Sequence, residues 1–221
     1  MTEQEWLKSN DPRKMLEFVE GRISDRKPRL FAVACCRRIW HLLADSRARN
    51  AVEASEAYAD GHISQEELTR RSNTEGWHVL GDPPMEAANT AACTKNTPSW
   101  VAASVARWTT YAMTGEAVEN AGAVGAPVAA VVDRVGDEEE CQQAELLRHI
   151  IGNLFHPYPT PDHWPSTVVQ LAQALYNGED CGFALHDALL EAGHPELANH
   201  FKEEQGHPKG CWVVDLILGK E

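Results

Sequence analysis

Residues Arg29–Asp45 read RLFAVACCRRIWHLLAD, and this stretch decides the fold. At about 100° per residue, Phe31, Ala32, Val33, Cys35, Cys36, Ile39, Trp40, Leu42 and Leu43 cover more than half of a helical circumference. Arg37, Arg38, His41 and Asp45 share the remaining wedge. A helix apolar over so wide an arc must be enclosed by other elements. The segment is therefore expected to be the central helix of an all-α fold, a compact irregular helical array in one domain spanning residues 1–221.

Working outward, helix starts and stops recur in both directions. Ser9-Asn10-Asp11-Pro12 is a cap with proline in the first turn and predicts a helix that Gly21 ends. Asp45-Ser46 opens a helix through Ala59, and Ser64-x-x-Glu67 is a capping box opening a short one through Arg71. Residues 72–84 read as a loop, followed by a short helix over MEAANTAAC. Thr97-Pro98 starts a helix that places Trp100, Ser104, Val105, Trp108, Tyr111 and Ala112 on one face, expected to be core, with Gly115 as its stop.

The Gly-, Ala- and Val-rich residues 115–136 fit a loose helix, a strand or a linker dividing the chain into two lobes. Asp137–Glu140 suit a helix N-terminus, and Leu146, Leu147, Ile150 and Ile151 continue that helix to Gly152. The segment FHPYPTPDHWP holds four prolines in eleven residues and predicts an ordered loop. Helices are expected over 167–176, 183–192 and 196–204, and the apolar run Val213–Leu218, broken by Asp215, reads as a short helix.

Charge narrows the function classes. The net charge of −13 is unevenly spread: residues 1–49 carry a surplus of four positive charges, and the rest of the chain a deficit of seventeen. An acidic body repels phosphate, which argues against nucleic acid and against a membrane surface. No run approaches the ~18 apolar residues of a membrane span, and the opening MTEQEWLKSNDPRK lacks an apolar signal core. Six cysteines without C-x-x-C spacing suit reduced thiols in a cytoplasmic protein.

Several groups of residues have the right chemistry for a site. Arg37, Arg38, His41 and Asp45 form a polar wedge, and Asp215 is the expected partner of the arginines. That gives either an internal clamp or an anion pocket with His41 in acid–base reach. Asp60-Gly61, Ile63, Ser64 and Glu67 match the second half of a calcium loop, but Glu56 and Tyr58 spoil the first half. Six of the ten histidines (His156, His163, His186, His194, His200 and His207) fall in the last 66 residues. There is no H-E-x-x-H and no i, i+4 histidine pair, so no metal and no cofactor are expected; a zinc site would draw on His156, His163, His186, His194 and Cys211. Cys35 and Cys36 have arginines close behind, which lowers a thiol pKa, but they sit on the apolar arc where free cysteines are inert.

The opening MTEQEWL, the block RKPRLFAVACCRRIWHLLAD, the segment LLRHIIGNLFHPYP and the ending GHPKGCWVVDLILGKE resemble an uncharacterised bacterial family abundant in planctomycetes. The resemblance covers most of the chain and is weakest over 72–136. It implies a bacterial cytoplasmic protein and carries over no catalytic residue. With abundant helices, lopsided charge and no complete catalytic set, the expected function is a non-enzymatic interaction or adaptor module for a protein partner. The competing expectation is a small-molecule- or metal-dependent enzyme, its pocket lined by Arg37, Arg38, His41 and Asp215 or by the C-terminal histidines.

Overall fold

Side-chain caps fix where most of the early helices begin. The structure, a computed structural model, describes residues 1–72, 82–93, 95–122, 126–202 and 206–220. Among these residues every regular element is helical, and the chain forms two compact units, Met1–Arg148 and His149–Glu221.

In the first unit, Thr2 and Glu5 close a capping box on α1 (Glu3–Lys8), an element absent from the sequence reading. Asp11 accepts the Lys14 N–H at the start of α2 (Pro12–Val19). The helix α3 covers Arg26–Arg38, α4 Ser46–Ala59 and α5 Gln65–Arg71. Asp45 caps α4 through the Arg47 N–H, and Ser64 caps α5 through the Glu67 N–H. Then come α6 (Pro83–Ala91) and α7 (Pro98–Ala121), the latter capped by Thr97. The last, α8 (Ala126–Ile151), crosses the boundary between the units.

The hub of this unit is α7, which packs against α2, α3 and α6, with α4 laid on α3 and α6. Its inward face is Val101, Ala102, Val105, Ala106, Thr109 and Ala112. Around it, α6 offers Ala87, Ala88 and Ala91 and α4 offers Ala48, Ala51 and Ala54, small residues that permit short interaxial distances. The helix α3 is enclosed as its composition requires: every residue from Pro28 to Cys36 is buried.

Four expectations are corrected. First, α3 ends at Arg38 instead of running to Asp45. The backbone turns through Trp40 N–H to Arg37 C=O and Leu42 N–H to Ile39 C=O, and Arg49 of α4 takes the carbonyls of Leu43 (2.7 Å) and Trp40 (3.4 Å). Arg49 thus takes carbonyls left exposed where the chain turns out of the helix. Second, Trp100 and Tyr111 are about half exposed (53% and 50%), because the inward face of α7 is set by its smaller residues. Third, Gly115 lies inside α7, which runs on to a left-handed Gly122. Fourth, Asp137–Glu140 lie in the interior of α8, so residues 115–136 belong largely to two long helices of the first unit. The loop expected over 72–84 lies mostly outside the described residues.

A Cβ at Gly115 meets nothing within 4 Å. Gly115→Ala is therefore expected to stabilise the protein by about 0.5–1 kcal/mol through lost unfolded-state entropy, read as a raised midpoint of chemical denaturation.

In the second unit, α9 (Ser166–Tyr176) packs on α10 (Gly182–Glu191) and on α12 (Trp212–Leu218). Between the last two come α11 (Pro195–Ala198) and a 3-10 turn, Asn199–Phe201. Their core gathers Val168, Ala172 and Leu175 from α9, Leu185 and Leu189 from α10, Leu197 and Phe201, and Val213, Val214 and Ile217 from α12. The proline-rich loop is ordered as expected: the Tyr158 hydroxyl lies 2.9 Å from His194 Nδ1, and the Trp164 ring packs on the same imidazole. The final apolar run is a helix, closed by a left-handed Gly219.

Candidate metal centre

Four side chains of the second unit converge although their residues are scattered in sequence. His149 sits in the last turn of α8, His200 in the 3-10 turn, His207 in the irregular stretch that follows, and Cys211 at the N-cap of α12. His149 Nε2 lies 3.2 Å from His207 Nδ1, and His200 Nε2 lies 3.1 Å from Cys211 Sγ. Cys211 Sγ and His207 Nδ1 are 4.0 Å apart, and all four ligand atoms fall within 4.8 Å of one another. These contacts link the four side chains in one chain, His149 to His207, His207 to Cys211 and Cys211 to His200. A tetrahedral zinc with N ligands at about 2.0–2.1 Å and S at about 2.3 Å has ligand-to-ligand edges of about 3.3–3.6 Å, so the two shortest contacts are near that length and the wider ones would contract around an ion.

The surroundings favour the neutral imidazole that a metal needs. Burial, with the charge of His207 adding to it, pushes His200 down to about 4, and burial also lowers His207. Phe201 packs against the rings of both His200 and His207, and Trp212 meets His200 edge-on. Cys211 is 1% exposed and belongs to the apolar core. Such an apolar shell restricts solvent and fixes ring orientation.

Local backbone chemistry aims the ligands. Gly152 ends α8 with φ +78°, a conformation that costs a side-chain-bearing residue about 1–2 kcal/mol. A Cβ at Gly152 would also stand 2.9 Å from Trp212 Cγ. Since Trp212 follows Cys211 and touches His200, this glycine lets two ligand-bearing segments approach the third. Gly152→Ala is expected to destabilise the chain by more than that conformational cost and to weaken metal binding, measured together by denaturation and metal titration. A loss no larger than the conformational cost would show that Trp212 moves aside freely.

The polar wedge fares differently. Arg38 forks onto Glu139 of α8, Nε to Oε1 at 3.2 Å and Nη2 to Oε2 at 2.7 Å. This pairing holds the Arg38 guanidinium pKa above its usual value. Arg37 reaches Glu56 at 3.4 Å, with its guanidinium over the Trp40 ring. His41 Nε2 lies 3.2 Å from both Glu116 oxygens, and Asp45 caps α4 and binds Arg47 at 2.6 Å. The carboxylates that the arginines hold come from α4 and α8, and Asp215 is a buried residue of α12. Because α3 stops at Arg38, the four wedge residues do not share one helical face, and Arg37, Arg38 and His41 each face a carboxylate of the first unit.

Among the histidines named from sequence, His156 and His163 are exposed, His186 pairs with Asp187 at 2.9 Å, and His194 holds the Tyr158 loop. Of that candidate set, Cys211 joins the cluster. His149 escaped notice because α8 carries it far from the others in sequence. The detectable signal was His200, His207 and Cys211 close together near the C-terminus. The half calcium loop is engaged by cations of the protein: Asp60 binds Arg26 at 3.2 Å, and Glu67 binds Arg70 and Arg71, each at 2.6 Å. Cys35 and Cys36 are fully enclosed; burial raises both thiols, Cys36 to about 12, which removes them as nucleophiles at neutral pH.

Fold and site together describe an all-α protein with a candidate three-histidine, one-cysteine metal centre. Comparison of the chain with protein-family models, curated proteins and solved structures finds no match. Among the described residues no helix is long and apolar enough to cross a membrane.

Proposed function

We propose that this chain binds one zinc ion through His149, His200, His207 and Cys211, and that the ion is structural within a non-enzymatic helical interaction module. The supporting observation is the convergence of three imidazoles and one thiol from separate elements within 4.8 Å. A nitrogen and sulfur set without carboxylates disfavours magnesium and calcium and suits zinc. Four protein ligands leave no coordination position for water or substrate, which is the arrangement of structural rather than catalytic sites. The enzyme reading needs that open position, and the buried Cys211 thiol fills it. Exposed aromatic and aliphatic side chains, Trp100 and Tyr111 on α7 and Phe183 and Leu190 on α10, give each unit apolar surface for a protein partner.

Elemental analysis of the purified full chain tests the site. The expected result is one zinc per chain, replaceable by cobalt with a tetrahedral visible spectrum and a thiolate charge-transfer band. Protein that purifies metal-free and takes up neither ion would overturn the proposal.

A further inference from the structure

Resting on that metal site, we infer that the ion controls whether residues 149–221 are folded, so that metal supply switches the second unit while the first keeps its structure. Three of the four ligands lie between His200 and Cys211, where the regular structure among the described residues is the short 3-10 turn Asn199–Phe201.

The same segment carries core residues interleaved with the ligands. Phe201, 1% exposed, follows His200; Cys211 is itself a core residue; Val213 and Val214 follow it. Freeing the ligands therefore unseats Phe201 and the start of α12. The α12 helix is one of the two partners of α9, and the 3-10 turn packs on α10. A unit of this length has a modest apolar core, and small domains often add stability through disulfides, metals or closely packed helices. All six cysteines are free thiols, so the ion is the available staple. The first unit has its own core on α2, α3, α4, α6 and α7, to which no ligand contributes.

Amide hydrogen exchange of the full chain, as zinc-loaded protein and after stripping with a chelator, tests this. Stripping is expected to cut protection across α9, α10 and α12 by at least about tenfold, with α3 and α7 unchanged, and added zinc but not magnesium is expected to restore it. Zinc bound at one per chain with equal protection before and after stripping would overturn the switch while leaving the metal site intact. Loss of protection in α3 and α7 as well would overturn its confinement to the second unit. Failure to bind zinc at all would remove the site, and the switch with it. A Cys211→Ser chain, expected to show the stripped pattern at zinc levels that saturate the native protein, separates loss of the ion from an effect of the chelator.

Discussion

Cys211→Ser is expected to lower zinc affinity by more than about 100-fold, beyond the 10–100-fold typical of losing an outer-sphere partner. The thiolate is the one anionic ligand in the set, so the variant leaves a dication among neutral imidazoles with a weaker oxygen donor in a buried position. His149→Ala is expected to have a comparable effect for a different reason. It leaves His200, His207 and Cys211 in place but opens the fourth position, converting a closed site into one that admits water. Competition titration against a chromophoric zinc chelator measures both. Structural zinc contributes apparent free energies of about 10–16 kcal/mol in zinc-finger peptides at neutral pH, so a shift of this size should also appear in the thermal transition of the second unit. If both variants bind zinc as tightly as the native chain, the ion sits elsewhere.

Arg38→Met is expected to destabilise the first unit by about 1–3 kcal/mol, the cost of leaving a buried polar group without its partner, because Arg38 is itself partly in solvent while Glu139 is not. The unpaired group left behind is Glu139, 3% exposed in α8. Its Oε1 also accepts from Gln143 Nε2 at 3.0 Å, and that amide lies within hydrogen-bond distance of Ala106 C=O and the Thr109 and Thr110 hydroxyls of α7. The pair therefore ties α3 to α8, and through Gln143 to α7. Met keeps the apolar stem of Arg38 while deleting its charge, so the loss chiefly reports the stranded carboxylate. Arg38→Met combined with Glu139→Leu is expected to recover most of the stability, since replacing both members of a buried pair is often neutral. Urea denaturation of the full chain reads this; a loss under about 1 kcal/mol in the single variant would mean that water reaches Glu139.

The capping residues explain why so much secondary structure was legible. A cap acts on amides two or three residues away, so Asp11, Asp45, Ser64 and Thr97 announce their helices without reference to the rest of the chain. Glycines were less dependable. Gly152 and Gly219 stop helices through left-handed backbone, whereas Gly115 is carried along because α7 gains more from packing than it loses to one flexible residue. The early end of α3 was not legible, since Ile39, Leu42 and Leu43 keep a helical apolar spacing although the backbone there turns.

By itself, then, the sequence determined the helical class, most helix starts, the enclosure of Phe31–Cys36 and the helical form of Trp212–Leu218, because each follows from local spacing and short-range hydrogen bonds. Only the tertiary structure decided that α7 is the hub, that Arg38 belongs to Glu139, and that His149 joins His200, His207 and Cys211. Those outcomes depend on where lone pairs and charges meet after distant segments pack, and side-chain spacing along a single helix carries no record of that meeting.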